Sequence, residues 1–282
     1  NPMISFPNAK INLGLNIVRR RPDGYHDLET AFYPIRWRDI LEISPLPEGE
    51  DEDVRITLTG IVPEGQPADN LCIKAWRILR REHPGLPSVA MHLHKTIPTG
   101  AGLGGGSSDG VAALSMLSDM HGLSLETARM EALALELGSD CPFFVRNRPC
   151  FAQGRGERMS ELDLDLSSYA LMVVHPGIHV STAAAFAGVR PSEPDVPIPD
   201  ILAEPVERWR GRLSNDFEAS VFAAEPTIAL IKDRLYAEGA LYASMSGSGS
   251  SVYGIFSRGG LPESTETFPP GCRIFRQDSM SM

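Results

Sequence analysis

No stretch of the sequence approaches the roughly 20 consecutive apolar residues that a membrane-spanning helix requires, so no membrane partner is expected. Cysteine is scarce: Cys72, Cys141, Cys150 and Cys272 are the only four in 282 residues. None stands in a C-x-x-C pair and their spacing fits no zinc ribbon, so no protein-held metal site is expected. Two disulfides are arithmetically possible. A chain of this size without a secretory leader nevertheless reads as cytoplasmic and reduced, with free and mostly buried thiols. Positive charge is in deficit, 26 Lys and Arg against 36 Asp and Glu, for a net charge of -10. Such a chain repels phosphate backbones at long range, which argues against nucleic acid as a partner. A local basic pocket for a small phosphorylated ligand remains compatible with it. Internal repeats and long low-complexity tracts are also missing. What is present is ordinary globular composition, 42% hydrophobic and 22% charged, in a length that suits one large or two medium domains.

Helical and strand patterns intermix without regular alternation, which predicts an α+β fold. Alternation over Ile40–Ile43 and Val54–Leu58, on either side of the acidic and proline-containing stretch Pro45–Asp53, predicts a hairpin with a solvated tip. Asp69 is a plausible N-cap for a helix burying Leu71, Ala75, Ile78 and Leu79. Ser107 or Ser108 could cap a helix running towards Asp119. Ser124 could cap another with Leu125, Ala128, Ala132 and Leu135 inward and Gly138 as its stop. Val89–Leu93, Phe143–Val145 and Ala170–Val174 read as strands. Asn215–Glu225 and Ile228–Glu238 read as helices, and Leu241–Met245 and Ser251–Phe256 as strands around a glycine turn. The prolines of Arg190–Asp200 mark a loop, as does Pro262–Gly271. A break near Gly154–Arg158 divides the chain into expected domains 1–155 and 156–282. His92 and His94 share one face of their strand, but two ligands are too few for a metal.

The segment Pro98-Thr-Gly-Ala-Gly-Leu-Gly-Gly-Gly-Ser-Ser108 lies between a predicted strand and a predicted helix. Five glycines between Gly100 and Gly106 let the backbone curl closely round a ligand. The following helix would offer unpaired N–H groups and the positive end of its dipole, which together make a phosphate cradle. Ser107 and Ser108 add hydroxyls that can bond phosphate oxygens or hold a magnesium ion. Gly100, Gly102 and Gly105 also satisfy G-x-G-x-x-G, so a dinucleotide site and a plain flexible connector stand as alternatives. The usual lysine of a P-loop is missing, since Gly106 follows Gly105.

Taken whole, Pro98-x-x-x-Gly102-Leu-Gly-Gly-Gly-Ser-Ser108 resembles the second signature of the GHMP kinase superfamily, whose loop wraps the phosphates of ATP. Pro7-Asn-Ala-Lys10-Ile-Asn12-Leu resembles the first signature, whose lysine lies near the transferred phosphate. Met245-Ser-Gly247-Ser-Gly-Ser-Ser251 resembles the third, a glycine loop near the triphosphate. The resemblance spans about Pro7 to Phe256. It implies a two-lobed α+β fold, with a ribosomal protein S5 domain 2-like N-terminal lobe, a ferredoxin-like C-terminal lobe and the active site in the cleft between them. It also implies ATP and Mg2+ as cofactors. Pro98, Gly100, Gly102, Leu103, Gly104, Gly105, Gly106, Ser107 and Ser108 would hold ATP, with Asn70 and Lys95 where relatives contact the nucleotide. Leu137-Gly-Ser-Asp140-Cys-Pro142 resembles the family's Leu-Gly-x-Asp-x-Pro, which makes Asp140 the expected catalytic carboxylate beside Lys10.

Asp23-Gly24-Tyr25-His26-Asp27-Leu28 resembles one branch of the superfamily, which phosphorylates the 2-hydroxyl of a cytidylated methylerythritol on the non-mevalonate route to isoprenoid precursors. That resemblance gives His26 the cytosine edge and Tyr25 the base face. Thr182-Ala-Ala-Ala-Phe186 resembles the segment whose ring stacks on cytosine. Asn12, Asp140 and Gly247 complete the expected substrate contacts. A GHMP kinase acting on homoserine or mevalonate is the alternative, and a non-catalytic nucleotide-binding relative is a more distant one. A monomer or weak homodimer is expected. Asn215-Asp216-Phe-Glu218 and Gly154-Arg-Gly-Glu157 also match family segments, without an assigned role for the first.

Overall fold

The computed structural model describes residues 2–47, 52–62 and 65–282. In chain order the strands and helices begin with β1 (Met3–Ser5), β2 (Asn8–Arg20), β3 (His26–Arg38), β4 (Ile40–Pro45) and β5 (Val54–Gly60). There follow α1 (Leu71–Glu82), β6 (Val89–Lys95), α2 (Gly105–Met120), α3 (Thr127–Leu137) and α4 (Cys141–Arg146). The remainder is β7 (Cys150–Gly154), β8 (Arg158–Glu161), β9 (Tyr169–His175), α5 (Thr182–Ala187), α6 (Ile198–Leu202), α7 (Glu218–Ala224), α8 (Pro226–Ala237), β10 (Tyr242–Met245), β11 (Val252–Ser257) and β12 (Arg273–Gln277).

The chain forms two compact units, and they are not consecutive in sequence. The first comprises residues 1–9, 37–99 and 104–147, the second residues 10–36, 100–103 and 148–282. The division expected at 155/156 therefore differs from the units: the strand pair from Lys10 to Arg36 belongs with the C-terminal half of the chain. Among the described residues three four-stranded sheets result, β1-β4-β6-β5, β2-β3-β7-β8 and β10-β11-β9-β12.

In the first unit, β6 alternates strictly. Val89, Met91, Leu93 and Lys95 face inward, and Ala90, His92 and His94 outward, as a period of two demands of a sheet covered on one side. The expected hairpin between β4 and β5 does not form. β6 lies between them, antiparallel to β4 and parallel to β5. Alternation marks a strand but does not name its neighbour, and of the expected tip Glu48, Glu50 and Asp51 lie outside the described residues. α1 begins one residue later than expected, because the Asn70 side chain, not that of Asp69, accepts the Cys72 amide at 2.9 Å. α3 buries Leu133, Ala134 and Leu137, and leaves Leu135 46% exposed. Two apolar stripes of helical period compete here. The one richer in large side chains packs, and the alanines Ala128 and Ala132 face out. Phe143–Val145, expected as a strand, lies inside α4. Pro142 starts that short helix and Asn147, in the left-handed region, ends it. So short an apolar run carries no period to distinguish the two.

In the second unit the sheet β10-β11-β9-β12 is antiparallel throughout. Numbered by their own sequence, its strands run 4-1-3-2 read from β12, the order of a ferredoxin-like lobe. Ile228, Ile231 and Leu235 of α8 pack with Met172, Val174, Ala243, Val252 and Phe256 in its core. Residues 215–217, expected as helix, instead carry a parallel bridge from Asn215 to Leu15 of β2, so α7 starts at Glu218.

Candidate active site

β2 is buried on both faces from Asn8 through Ile17, in all but its last three positions. That pattern also puts polar side chains where water does not reach, among them Lys10, 3% exposed, and Asn12, 4% exposed. A buried ammonium demands partners. Lys10 Nζ donates to Asn12 Oδ1 at 2.5 Å and to the Gly102 carbonyl at 3.1 Å, and sits 5.1 Å from the centre of the Phe32 ring. The Lys10 backbone N–H donates to the Leu103 carbonyl. β2 thus holds the first half of the glycine-rich loop.

The third glycine loop packs against that half. Ser246 Oγ donates to the Gly102 carbonyl at 2.8 Å and accepts the Asn12 amide at 3.1 Å. A Cβ on Gly102, whose φ is +81°, would lie 2.0 Å from the Ser246 carbonyl oxygen, so only glycine fits. A Cβ on Gly247, whose φ is +57°, would lie 3.4 Å from Gly102 Cα and 3.5 Å from Asn12 Oδ1, so the loop passes close to both. Asn215 anchors this loop by donating to the Met245 and Gly247 carbonyls at 2.9 and 2.8 Å while accepting the Phe217 amide. At the loop's other end Ser250 Oγ and Ser251 Oγ lie 3.4 and 3.3 Å from His175 Nδ1. Burial, with the Arg273 charge adding to it, pushes His175 down to about 4.

The second half of the glycine-rich loop opens α2 in the first unit. Gly104, at φ +68°, takes the N-cap position without a side chain, rather than Ser107 or Ser108, and no side chain caps the first turn. The leading N–H groups of a 16-residue helix are thereby available to an anion. Gly106 is exposed and Ser107 half-buried, whereas Ser108 is buried. A Cβ on Gly105 would meet Ile97 at 2.9 Å and Lys95 Nζ at 3.2 Å. Lys95 itself is buried behind the loop, its ammonium 2.5 Å from Asp39 and 2.8 Å from Asp109. Burial works against the charge of Lys95, but the two carboxylates outweigh it and raise its pKa. Its side chain is committed to bracing α2. Asn70 spends its Oδ1 on capping α1. Asp140 immediately precedes α4, is half-buried and makes no capping hydrogen bond with its side chain. The neighbouring Cys141 thiol is pushed up to about 11, chiefly by burial.

The turn after β2 displays an aromatic group in the second unit. Gly24, at φ +87°, lets the chain reverse, and the Arg21 amide donates to the Tyr25 carbonyl at 2.7 Å. Asp23 caps the Tyr25 amide, and its carboxyl is held below the usual range first by its hydrogen bond from Arg21. His26 stacks on Phe186 with ring centres 4.9 Å apart and planes 19° apart. Phe186 in turn meets Phe217 edge-on at 4.9 Å. Tyr25 is 52% exposed and carries the Arg155 guanidinium on its face at 3.6 Å. Thr182 bonds Ser248 of the third glycine loop at 3.2 Å.

Thus Lys10, Asn12, Gly102, Leu103 and Gly247 converge in the second unit, as do His26 and Phe186, while Tyr25 pairs with Arg155. Gly104, Gly105, Gly106, Ser107, Ser108 and Asp140 stand in the first. Ser246 and Asn215 build the site although neither stands out in the sequence. Each lies inside or beside a recognisable motif, but a hydroxyl or amide shows its use only once the opposing carbonyl is known. His92 and His94 both bond Thr59 Oγ1, at 2.8 and 2.9 Å. Among the described residues no helix is long and apolar enough to cross a membrane.

Residues 70–148 match the GHMP kinases N terminal domain, and residues 201–265 the GHMP kinases C terminal domain. The chain belongs to the GHMP kinases. It is 49% identical over 262 residues to the 4-diphosphocytidyl-2-C-methyl-D-erythritol kinase of Bacteroides thetaiotaomicron, covering 93% of this chain and 95% of that one. It is 48% identical over 256 residues to the like-named kinase of Cytophaga hutchinsonii, covering 90% and 93%. A crystal structure of 4-(cytidine 5'-diphospho)-2C-methyl-D-erythritol kinase matches with a TM-score of 0.82 and 32% identity, over 98% of both chains. A mevalonate kinase structure matches with a TM-score of 0.70 at 14% identity, over 97% of this chain and 98% of that one, a likeness of fold alone.

Proposed function

We propose that this protein transfers the γ-phosphoryl group of ATP to the 2-hydroxyl of 4-diphosphocytidyl-2-C-methyl-D-erythritol, giving the 2-phosphate and ADP. The observation that carries this reading is near-half identity across almost the whole chain to kinases named for that acceptor. The Asp23-Gly24-Tyr25-His26 turn and the His26–Phe186 stack give it a physical basis. A pyrimidine ring is flat, apolar on its faces and polar at its edge. An aromatic cluster with an imidazole supplies both kinds of contact.

Phosphoryl transfer depends on alignment and charge neutralisation more than on covalent chemistry. The open first turn of α2 and the glycines from Gly100 to Gly106 are assigned to the ATP phosphates, with Pro98 setting the chain's entry to the loop. Lys95 acts on them only indirectly, by holding α2 through Asp109. Asn70 caps the helix beside the nucleotide site. Lys10 offsets charge on the transferring group and Asn12 orients Lys10. Asp140 accepts the proton of the acceptor hydroxyl, and the absence of a capping bond leaves its oxygens available for that task. His26 takes the cytosine edge, Tyr25 and Phe186 its faces, and Thr182 and Gly247 the remainder of the substrate. The half-buried Ser107 hydroxyl in the first turn of α2 would hold Mg2+ together with the ATP phosphates. Bound there, the ion would supply positive charge against that of the phosphates. The reaction belongs in the cytoplasm, where ATP is supplied.

The test is ADP release from ATP with the cytidylated methylerythritol, beside homoserine and mevalonate. Turnover with the first alone is expected. Turnover with either of the others, and not with the first, contradicts the assignment.

A further inference from the structure

Thr30 lies on β3, is 1% exposed and has no part in the roles assigned above. Its hydroxyl has two close partners. The Gly14 carbonyl is 2.5 Å away and the Asn12 side-chain nitrogen 2.9 Å away. A carbonyl oxygen can only accept, so the single hydroxyl hydrogen of Thr30 is directed at Gly14. Towards Asn12, therefore, Thr30 can only accept. The group that Asn12 turns to it must be the NH2, and the amide oxygen must face the opposite way. There stands Lys10 Nζ, 2.5 Å from that oxygen. An ammonium has only hydrogens to offer, so the other end of the chain demands the same orientation.

The two ends of an amide side chain have nearly the same shape, and packing does not choose between them. Neighbouring donors and acceptors do. The run from Lys10 through Asn12 and Thr30 to Gly14 has one consistent polarity, and its terminus is fixed. Gly14 sits at φ +69°, where an added Cβ would meet Leu213 at 2.6 Å, so its backbone is held in a conformation few other residues could take. We infer that Thr30 is a positioning residue for Lys10: its hydroxyl locks the Asn12 amide with oxygen, and not nitrogen, towards the ammonium. The inference rests on the reading of Lys10 as the group that meets the transferring phosphoryl. Without the Thr30 acceptor, the flipped amide would present hydrogens to an ammonium and push it out of place.

Thr30→Val keeps the shape and removes the hydroxyl, whereas Thr30→Ser keeps the hydroxyl and removes the methyl. Steady-state kinetics with ATP and the cytidylated methylerythritol, beside Lys10→Met, separates the cases. Thr30→Val is expected to lower kcat about 10- to 100-fold with both KM values within about 2-fold, as misplacement of a reacting group does. Thr30→Ser is expected to stay within about 3-fold of the parent kcat. A role in packing alone would reverse that order, because serine leaves the larger void. If circular dichroism shows that Thr30→Val does not fold, Thr30→Ala replaces it in the comparison, since alanine removes the acceptor and adds no volume. A kcat for the hydroxyl-free variant within about 3-fold of the parent overturns the inference, as does a serine variant equally impaired. If Lys10→Met turns over normally, the reading of Lys10 fails and the inference falls with it. If Lys10→Met is dead while Thr30→Val is active, the inference about Thr30 fails alone.

Discussion

Replacing Asp109 by Asn should remove a pH dependence from the stability of the protein. Asp39, Lys95 and Asp109 are all buried, and two carboxyls share one ammonium. Asp39 is the better served, with Lys95 on one oxygen and the Thr96 and Ile97 amides at 2.7 and 2.9 Å on the other. Asp109 has Lys95 on one oxygen and no hydrogen-bond partner on the other. A surplus negative charge in so dry a place is costly, and a proton relieves it. The Asp109 carboxyl is accordingly pushed up to about 8. Burial is the main cause, Lys95 opposes it, and the negative charge of Asp39 reinforces it. The sign follows from a folded pKa above the unfolded one. The stability contributed by this proton is complete below the ordinary carboxylate range and is lost as pH rises through about 8. Between about pH 5 and 7 the native state holds one proton that the unfolded chain has released. Unfolding free energy from this group then falls by about 1.4 kcal/mol per pH unit. An asparagine amide supplies hydrogens at every pH, so this contribution vanishes. The assay is urea unfolding of both proteins from about pH 5 to 8 at constant ionic strength, read as the difference between them so that other titrating groups cancel. The variant should gain on the parent with rising pH by roughly that slope, levelling off above about pH 8. A difference that does not change with pH would refute the reasoning and leave Asp109 ionised in the native protein.

Three further substitutions probe the site. Asp140→Asn should lower kcat by about 100- to 10,000-fold, the usual range for a lost general base, while nucleotide titration finds ATP affinity nearly unchanged. Phe186→Ala, which removes the ring stacked on His26, should raise KM for the cytidylated substrate by about 10-fold and spare KM for ATP. Gly102→Ala must displace the Ser246 carbonyl, 2.0 Å from the new Cβ, and with it the third glycine loop. A loss of about 100-fold in kcat at a nearly normal Tm is expected from that misplacement.

Three glycine-rich or lysine-bearing signatures make the phosphate-binding elements legible, because each depends on short-range backbone chemistry. Gly102 and Gly104 need positive φ, and no spacing argument is required to see that glycine permits it. Long-range pairing is less legible. The alternation of β4 and β5 suggests a hairpin, since nothing local to either strand says that β6 will come between them. The inward face of α3 is ambiguous in sequence because two stripes satisfy the same period, and the larger side chains decide. Asn215 stands in a recognisable segment without an evident role. Its hydrogen bonds go to Met245 and Gly247, about thirty positions away along the chain, and no motif prints the carbonyls it serves. Lys95 reads as a nucleotide contact from its place in the family pattern. Its two buried carboxylate partners come from the link between β3 and β4 and from α2, and only the fold brings them together.

The most direct measurement is phosphorus NMR of the product formed from ATP and the cytidylated methylerythritol. The 2-position carries a methyl group and no hydrogen. Phosphate placed there gives a new monoester resonance without three-bond coupling to a carbinol proton, and this is the predicted spectrum. A monoester signal split by neighbouring protons, or no new phosphate ester at all, would contradict the account.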